Sequence, residues 1–306
     1  MEYQQPDFGK SLMAVRRSQG GGLATRKGLA SALGIAKELL VDIEEGKTSP
    51  PDSVIRWFEQ EIKKELPPPR GSRGGVLEYF LSAQQFQPDQ RILDLPCGPG
   101  WLTWELRRKG LDVTAADLFP DTFQAGEPAA VQVDMNSPLP FPGDSFDFII
   151  SAEGVEHLEN PWQAFREFYR ILKPGGKLLL STPNYSNIER RVSYLLKGSA
   201  ARPPLPVHRH REIPFNDPPH LSTFPACYWK LAGDFAGFTL EKMDTCAAHK
   251  KQWFFFPLAL LISLMGKFAR GNTRIRYEME WTQSMAHLLG GRSLVMILRK
   301  RSRIEA

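Results

Sequence analysis

Arg91-Ile92-Leu93-Asp94-Leu95-Pro96-Cys97-Gly98-Pro99-Gly100 is the stretch that decides how this chain folds. A short apolar run closes on an acid and passes at once into two glycines two residues apart. That pattern reads as a buried strand followed by a tight turn. Residues 101–109 then have amphipathic helical spacing. Working outward, residues 112–117, 130–133, 146–151 and 176–181 are four more short apolar strands, and 161–172 is a second amphipathic helix. Strands that alternate with helices predict a parallel sheet covered on both faces, with ligands bound at the carboxyl ends of its strands. Residues 293–298 read as a final strand that closes this sheet.

Two glycines in the first loop let the backbone turn sharply and approach a ligand closely. A nicotinamide site prefers G-x-G-x-x-G, and here Thr103 stands in the third glycine's place. Asp117 ends the second strand, 23 residues after Asp94. A carboxylate there can accept both ribose hydroxyls of an adenosine ligand. Asp134-Met135-Asn136 follows the third strand, where an acid or amide can accept from an adenine amino group while Met135 packs on the ring. Each acid alone also reads as a turn former or helix cap. Three of them at successive strand ends point together to an adenosine-containing cofactor.

ILDLPCGPG (92–100), TAADLFP (114–120), VDMNSPLPFPGDSFDFIISAEGVEHL (133–158) and ILKPGGKLLLSTPN (171–184) resemble the class I S-adenosylmethionine-dependent methyltransferases. The resemblance is close over residues 75–185 and loose from there to the end. It is nearest to the group that includes ubiquinone-pathway O-methyltransferases and many natural-product or sugar methyltransferases. It implies a Rossmann-like α/β sheet with helices on both faces, S-adenosylmethionine as cofactor, and methyl transfer to a small-molecule acceptor, foremost a hydroxyl oxygen. Carried over residue by residue, Gly98 and Gly100, with Cys97 between strand and turn, would pass beside the methionine part of the cofactor. Asp94 would help hold its amino group, Asp117 with Leu118 would meet the ribose, and Asp134 with Met135 the adenine. Ser151-Ala152-Glu153 would line the sulfonium and the acceptor entrance. Pro96 departs from the family, which usually has glycine there; proline removes a backbone donor and fixes φ, which narrows the loop.

Methyl transfer from a sulfonium is an in-line displacement with a neutral leaving group, so it needs alignment and water exclusion more than an acid. A base helps when the acceptor is a hydroxyl. His157 is one candidate, because imidazole titrates near neutrality; it also reads as a packed residue at a helix start. His220, in Asn216-Asp217-Pro218-Pro219-His220, is the second. No metal site is read: His208-Arg209-His210 is too sparse for one.

Two segments on the acceptor side read as lids. Residues 186–224 form a long irregular stretch with Arg190, Arg191, Lys197, Arg202, Arg209 and Arg211, which suits an anionic acceptor or a solvated face. Within 250–290, residues 253–265 are 13 nearly unbroken apolar positions between Lys250-Lys251 and Lys267, Arg270. A run of that length does not span a bilayer. It leaves three readings open: a lid helix over the site, peripheral contact with a membrane or a lipid-like acceptor, and a homodimer interface.

The 306 residues are 42% hydrophobic and 24% charged, which excludes bulk disorder and leaves room for two unequal domains. Pro67-Pro68-Pro69 and the glycines after it mark residues 67–75 as a linker between a domain at 1–66 and one at 76–306. Within 7–62, FGKSLMAVRRSQ, LASALGI and LLVDIEEGKTSP are similar to the Cro/repressor-type (XRE) helix-turn-helix, which implies a small helical bundle and DNA contact through its third helix. The surface departs from that family. Residues 36–45 carry Lys37 against Glu38, Asp42, Glu44 and Glu45, although Arg16, Arg17, Arg26 and Lys27 remain to meet phosphates. Residues 1–65 hold ten bases and ten acids, so the net charge of +5 belongs entirely to residues 66–306. A regulator that uses the methyltransferase fold as a ligand sensor is therefore the alternative to an enzyme. Three widely spaced cysteines and an opening without an apolar signal run set the expectation of a cytoplasmic protein.

Overall fold

A computed structural model of the chain describes residues 25–45, 47–63, 72–126, 128–200, 219–246 and 250–301. The motif FGKSLMAVRRSQ with the bases Arg16 and Arg17, and the stretch carrying Arg202, His208-Arg209-His210, Arg211 and Asn216-Asp217-Pro218, lie outside the described residues.

Thr25 caps α1 (Arg26–Leu33), its hydroxyl accepting from the Gly28 amide at 3.0 Å. Gly34 ends the helix in the left-handed region at φ 67°, and its amide bonds back to Ser31 O. α2 (Lys37–Glu44) and α3 (Asp52–Lys63) follow, around a core of Leu29, Ala30, Leu40, Ile43 and Val54. Arg26 Nε meets the buried Glu44 Oε2 at 2.7 Å. One of the bases offered to phosphates is thereby held in an internal ion pair.

α4 (Ser72–Ala83) begins inside the stretch predicted as linker and contains Gly74 and Gly75. Val76 and Phe80 on this helix are buried against Ile92, Leu106 and Val113. Burial of such side chains, about 1.5–3 kcal/mol each, outweighs a glycine penalty of about 1 kcal/mol per position.

The sheet is assembled from β1 (Arg91–Asp94), α5 (Trp101–Arg108), β2 (Asp112–Asp117), β3 (Val131–Gln132), β4 (Phe146–Ala152), α6 (Pro161–Ile171), β5 (Leu172–Pro183), α7 (Ile188–Lys197), α8 (Ala226–Ala236), β6 (Phe238–Cys246), α9 (Phe256–Phe268), the short α10 (Gly271–Arg276), α11 (Met279–Thr282) and α12 (Met285–Leu288), and β7 (Ser293–Lys300). Its order is β3-β2-β1-β4-β5-β7-β6. The first five strands of that row are parallel, as expected, and β7 runs antiparallel to both neighbours. Residues 293–298 therefore do not close the sheet at its edge. They insert between β5 and β6, and β6 itself was not predicted. Only Phe238 and Met243 of β6 are buried, so its sequence lacks the sustained apolar run of the inner strands.

Both faces are covered. Ile149 of β4 joins Phe165, Phe168 and Trp229 on one side, while Phe148 and Ile150 join Phe80 and Leu106 on the other. Chain order reverses at β1, whose neighbours are β2 and β4. That reversal opens a crevice at the carboxyl ends of these strands, where ligands of open α/β sheets bind.

Candidate functional site

Asp94 closes β1 and is wholly buried. Its Oδ2 accepts from the Thr103 amide at 3.1 Å and the Thr103 hydroxyl at 2.6 Å. The carboxylate thus caps α5 from the preceding strand, since Gly100 at the N-cap position has no side chain to do so. Burial pushes the Asp94 carboxyl up to about 7, against the two Thr103 hydrogen bonds, and the charge on Asp117 adds to the rise. Asp94 therefore fixes the start of α5 and the loop before it.

The loop is pinned on both sides. The Leu95 amide donates to Ile150 O, the Cys97 amide to Ala116 O at 2.9 Å, and the Gly98 amide to Asp117 Oδ2 at 2.8 Å. The two glycines have different reasons. At Gly98, with φ 51°, a Cβ would meet nothing within 4 Å, so the backbone is open. At Gly100, with φ 90°, a Cβ would lie 2.6 Å from Phe123 and 2.7 Å from Ala125. Gly100 is required by packing, whereas Gly98 faces open space. Burial, then the charges of Asp94 and Asp117, push the Cys97 thiol far above the ordinary thiol range, which makes it a small apolar filler.

Asp117 Oδ1 also accepts from the Phe119 amide at 2.9 Å. Each carboxylate oxygen has two lone pairs, so one on each remains for a ribose hydroxyl. Leu118 beside it is exposed. Asp134 is half-buried, with Oδ1 accepting from the Asn136 amide at 2.9 Å. Open backbone at Gly98, two-acceptor capacity at Asp117 and an acceptor at Asp134 fit an adenosine-containing cofactor.

Met135 belongs to the main core cluster. One predicted placement needs correction. Ser151 does not line an entrance. It is fully buried, its hydroxyl has no partner, and it projects to the Ile149 face of β4. Ala152 is half-buried against the other core layer, and Glu153, also half-buried, takes a left-handed turn at φ 52°.

Beyond β4 lies a polar cluster. Glu153 Oε1 accepts from Ser181 Oγ at 3.1 Å, and the buried Glu156 accepts from Thr182 Oγ1 at 3.2 Å. His157 donates Nδ1–H to Pro219 O at 3.2 Å, because a carbonyl only accepts; its Nε2 is then 3.9 Å from Glu156 Oε1. The His157 and His220 rings meet edge to face at 4.8 Å. His220 Nδ1 is hydrogen-bonded to the hydroxyl of Tyr185, which stands just past β5. Burial, then the charges of Glu156 and Glu153, push the Tyr185 phenol up to about 12, so it stays protonated at neutral pH. One ligand atom each from Glu156, His157 and His220 lies within 4.8 Å of the other two.

The two predicted histidines are thus brought together, and Thr103, Tyr185 and Glu156 join these residues without being site candidates in the sequence. Thr103 carried a signal, as a hydroxyl in place of the third glycine. Tyr185 and Glu156 carried none, since their partners are 35 and 26 residues away in sequence.

Residues 93–180 match the family model described as a methyltransferase domain. That segment holds Asp94, Gly98, Gly100, Asp117, Asp134 and His157. The ubiquinone biosynthesis O-methyltransferase of Xanthomonas oryzae pv. oryzae is 38% identical over 138 residues, which cover 42% of this chain and 56% of that protein. Its counterpart in Xanthomonas campestris pv. campestris is 36% identical over 139 residues, with the same coverage. The chain therefore spans little more than half the length of the curated relatives it matches. A SAM-dependent methyltransferase from Archaeoglobus fulgidus superposes with a TM-score of 0.47 at 16% identity, over 74% of this chain and 92% of that one.

Proposed function

We propose that this chain transfers the methyl group of S-adenosylmethionine to a hydroxyl oxygen of a small-molecule acceptor. What carries the reading is the row of acids at the ends of three adjacent strands, Asp94, Asp117 and Asp134, around open backbone at Gly98, inside the segment that matches a methyltransferase domain. S-adenosylmethionine would supply a sulfonium methyl, whose S–C bond breaks to a neutral thioether as the new O–C bond forms. Asp117 binds the ribose, Asp134 accepts from the adenine amino group, and Asp94 fixes the loop through Thr103. The acceptor lies on the β4–β5 side, beside Glu153, Tyr185 and His220.

His220 takes the acceptor's proton in this reading. His220 Nδ1 is hydrogen-bonded to Tyr185 Oη, and the tautomer that donates Nδ1–H to that oxygen has Nε2 as its basic nitrogen; His157 meets the ring edge to face. A second reading rests on the grouping of Glu156, His157 and His220. Two imidazoles and a carboxylate suit a divalent cation that would bind the acceptor oxygen and make it more acidic. Chelation separates the two, because base catalysis survives it.

A ligand-sensing DNA regulator is disfavoured by the acidic α2 and by the Arg26–Glu44 pair. It would show duplex binding that responds to cofactor, with no methylated product. A cytoplasmic setting agrees with Cys97, Cys227 and Cys246, all of them free. Calorimetric titration with S-adenosylmethionine against NAD tests the cofactor. Labelled methyl transfer to hydroxylated small molecules, with and without an apolar tail, tests the reaction. Binding of NAD alone, or cofactor binding with no transfer to any acceptor, would overturn it.

A further inference from the structure

Helix α9 is built the wrong way round for a water-soluble surface. Among its 13 residues only Ser263 and Lys267 are polar. A narrow stripe, Ala259 and Ile262, packs with Phe255 on Ile188 of α7 and Leu288 of α12. Leu258, Leu260, Leu261, Leu264, Met265 and Phe268 are left exposed, Met265 by 64% and Phe268 by 86%. Trp253 and Phe254, just before the helix, are 64% and 82% exposed, and Trp253 stacks on Phe256 at 5.8 Å. α7 adds exposed Tyr194, Leu195 and Leu196. An apolar patch on this scale marks an interaction surface.

The charge around the patch selects its occupant. From Trp253 to Tyr277 the sequence holds four bases, Lys267, Arg270, Arg274 and Arg276, and no acid. A two-fold contact with a second copy would set like charges against each other at the rim. Anionic headgroups would match them, and each base near such a surface contributes about 1 kcal/mol. No helix among the described residues is long and apolar enough to cross a membrane; α9 would extend about 20 Å against a hydrocarbon core of about 30 Å. It suits a helix lying in the interface.

We infer that α9, with Trp253, Phe254 and the end of α7, docks the protein on an anionic phospholipid bilayer. The docked face adjoins the candidate site, since Ile188, which packs on Ala259, is three residues from Tyr185. An amphiphilic acceptor would then enter from the bilayer side. The docking itself does not depend on the methyltransferase reading.

Cosedimentation of the full chain with phosphatidylcholine vesicles, with and without a quarter phosphatidylglycerol, tests this. Binding is expected only with the anionic vesicles, and to weaken as salt rises. Trp253→Ser/Phe254→Ser/Phe268→Ser, all at exposed positions, is expected to weaken it by about tenfold or more. Lys267→Glu/Arg270→Glu/Arg274→Glu is expected to abolish the preference for phosphatidylglycerol. Circular dichroism checks that each variant folds. A chain that stays in solution with both vesicles, binds both equally, or dimerises in a way that the serine variant abolishes would overturn the inference. Failure of methyl transfer would leave it untouched.

Discussion

The ring of Pro96 occupies the space that a side chain at Gly154 would need: a Cβ there would lie 2.4 Å from Pro96 Cδ and 2.6 Å from Cγ. The residue that departs from the family pattern in the β1 loop is thus matched by a glycine in the β4 loop. Gly154→Ala should push the loop outward and weaken S-adenosylmethionine binding by about tenfold or more, on the order of 1–3 kcal/mol. Pro96→Gly should restore room for the alanine. Calorimetry on the two single variants and the double variant measures the coupling; additive losses would sink this account.

Thr103 gives the buried Asp94 carboxyl two of its hydrogen bonds. Thr103→Val keeps the shape and the amide but removes the hydroxyl donor. The expected loss is about 1–3 kcal/mol of stability, read from urea unfolding, with weaker cofactor binding as α5 loosens. Unchanged stability would mean that the hydroxyl bond contributes nothing.

Because its folded pKa is raised to about 7, Asp94 keeps a proton over a range where the unfolded chain has already released it. Stability from this group is therefore full at low pH and falls as pH rises between about 4 and 7. Asp94→Asn should remove that slope. The comparison is the urea midpoint at pH 5 and at pH 7.5 in both proteins, and parallel shifts would contradict it.

His287 works in the opposite direction. Burial, then the charge of Arg191, lowers its pKa to about 4, and its Nε2 has no partner. The unfolded chain binds a proton below about 6.5 that the native chain refuses, so stability is lost as pH falls from 6.5 toward 4. His287→Phe should flatten this acid limb in thermal melts. A limb of the same steepness would assign the effect to other groups.

Base catalysis makes His220 and Tyr185 unequal. His220→Gln should lower kcat by about 100-fold or more. Tyr185→Phe should cost less and should move the acidic limb of the pH–rate profile, because it changes the group that holds Nδ1. Wild-type turnover should survive chelation. A Tyr185→Phe enzyme with altered KM and an unmoved profile would make the tyrosine a packing residue only, and loss of turnover on chelation would favour the divalent cation.

Much of the fold was legible because the inner strands are buried on both faces. Ile92, Leu93, Ile149, Leu179 and Leu180 sit in unbroken apolar runs that read as strands wherever they occur. Asp94, Asp117 and Asp134 were legible for a related reason, since acids that end apolar strands stand out. β6 was not, because an edge strand with two buried residues has no run to read. α4 was hidden by glycines whose helical state is set by the burial of Val76 and Phe80.

The alternation of strands and helices, the glycine turn after β1 and the acids that flank it can be read from the amino-acid order alone, because each depends on a few neighbouring residues and on periodicity. Only the tertiary structure decided that β7 enters between β5 and β6, that Met135 and Ser151 turn into the core, and that Tyr185, Glu156, His157 and His220 converge. Those outcomes depend on which distant surfaces bury one another, and no local pattern encodes a contact between residues that meet only when the sheet is complete.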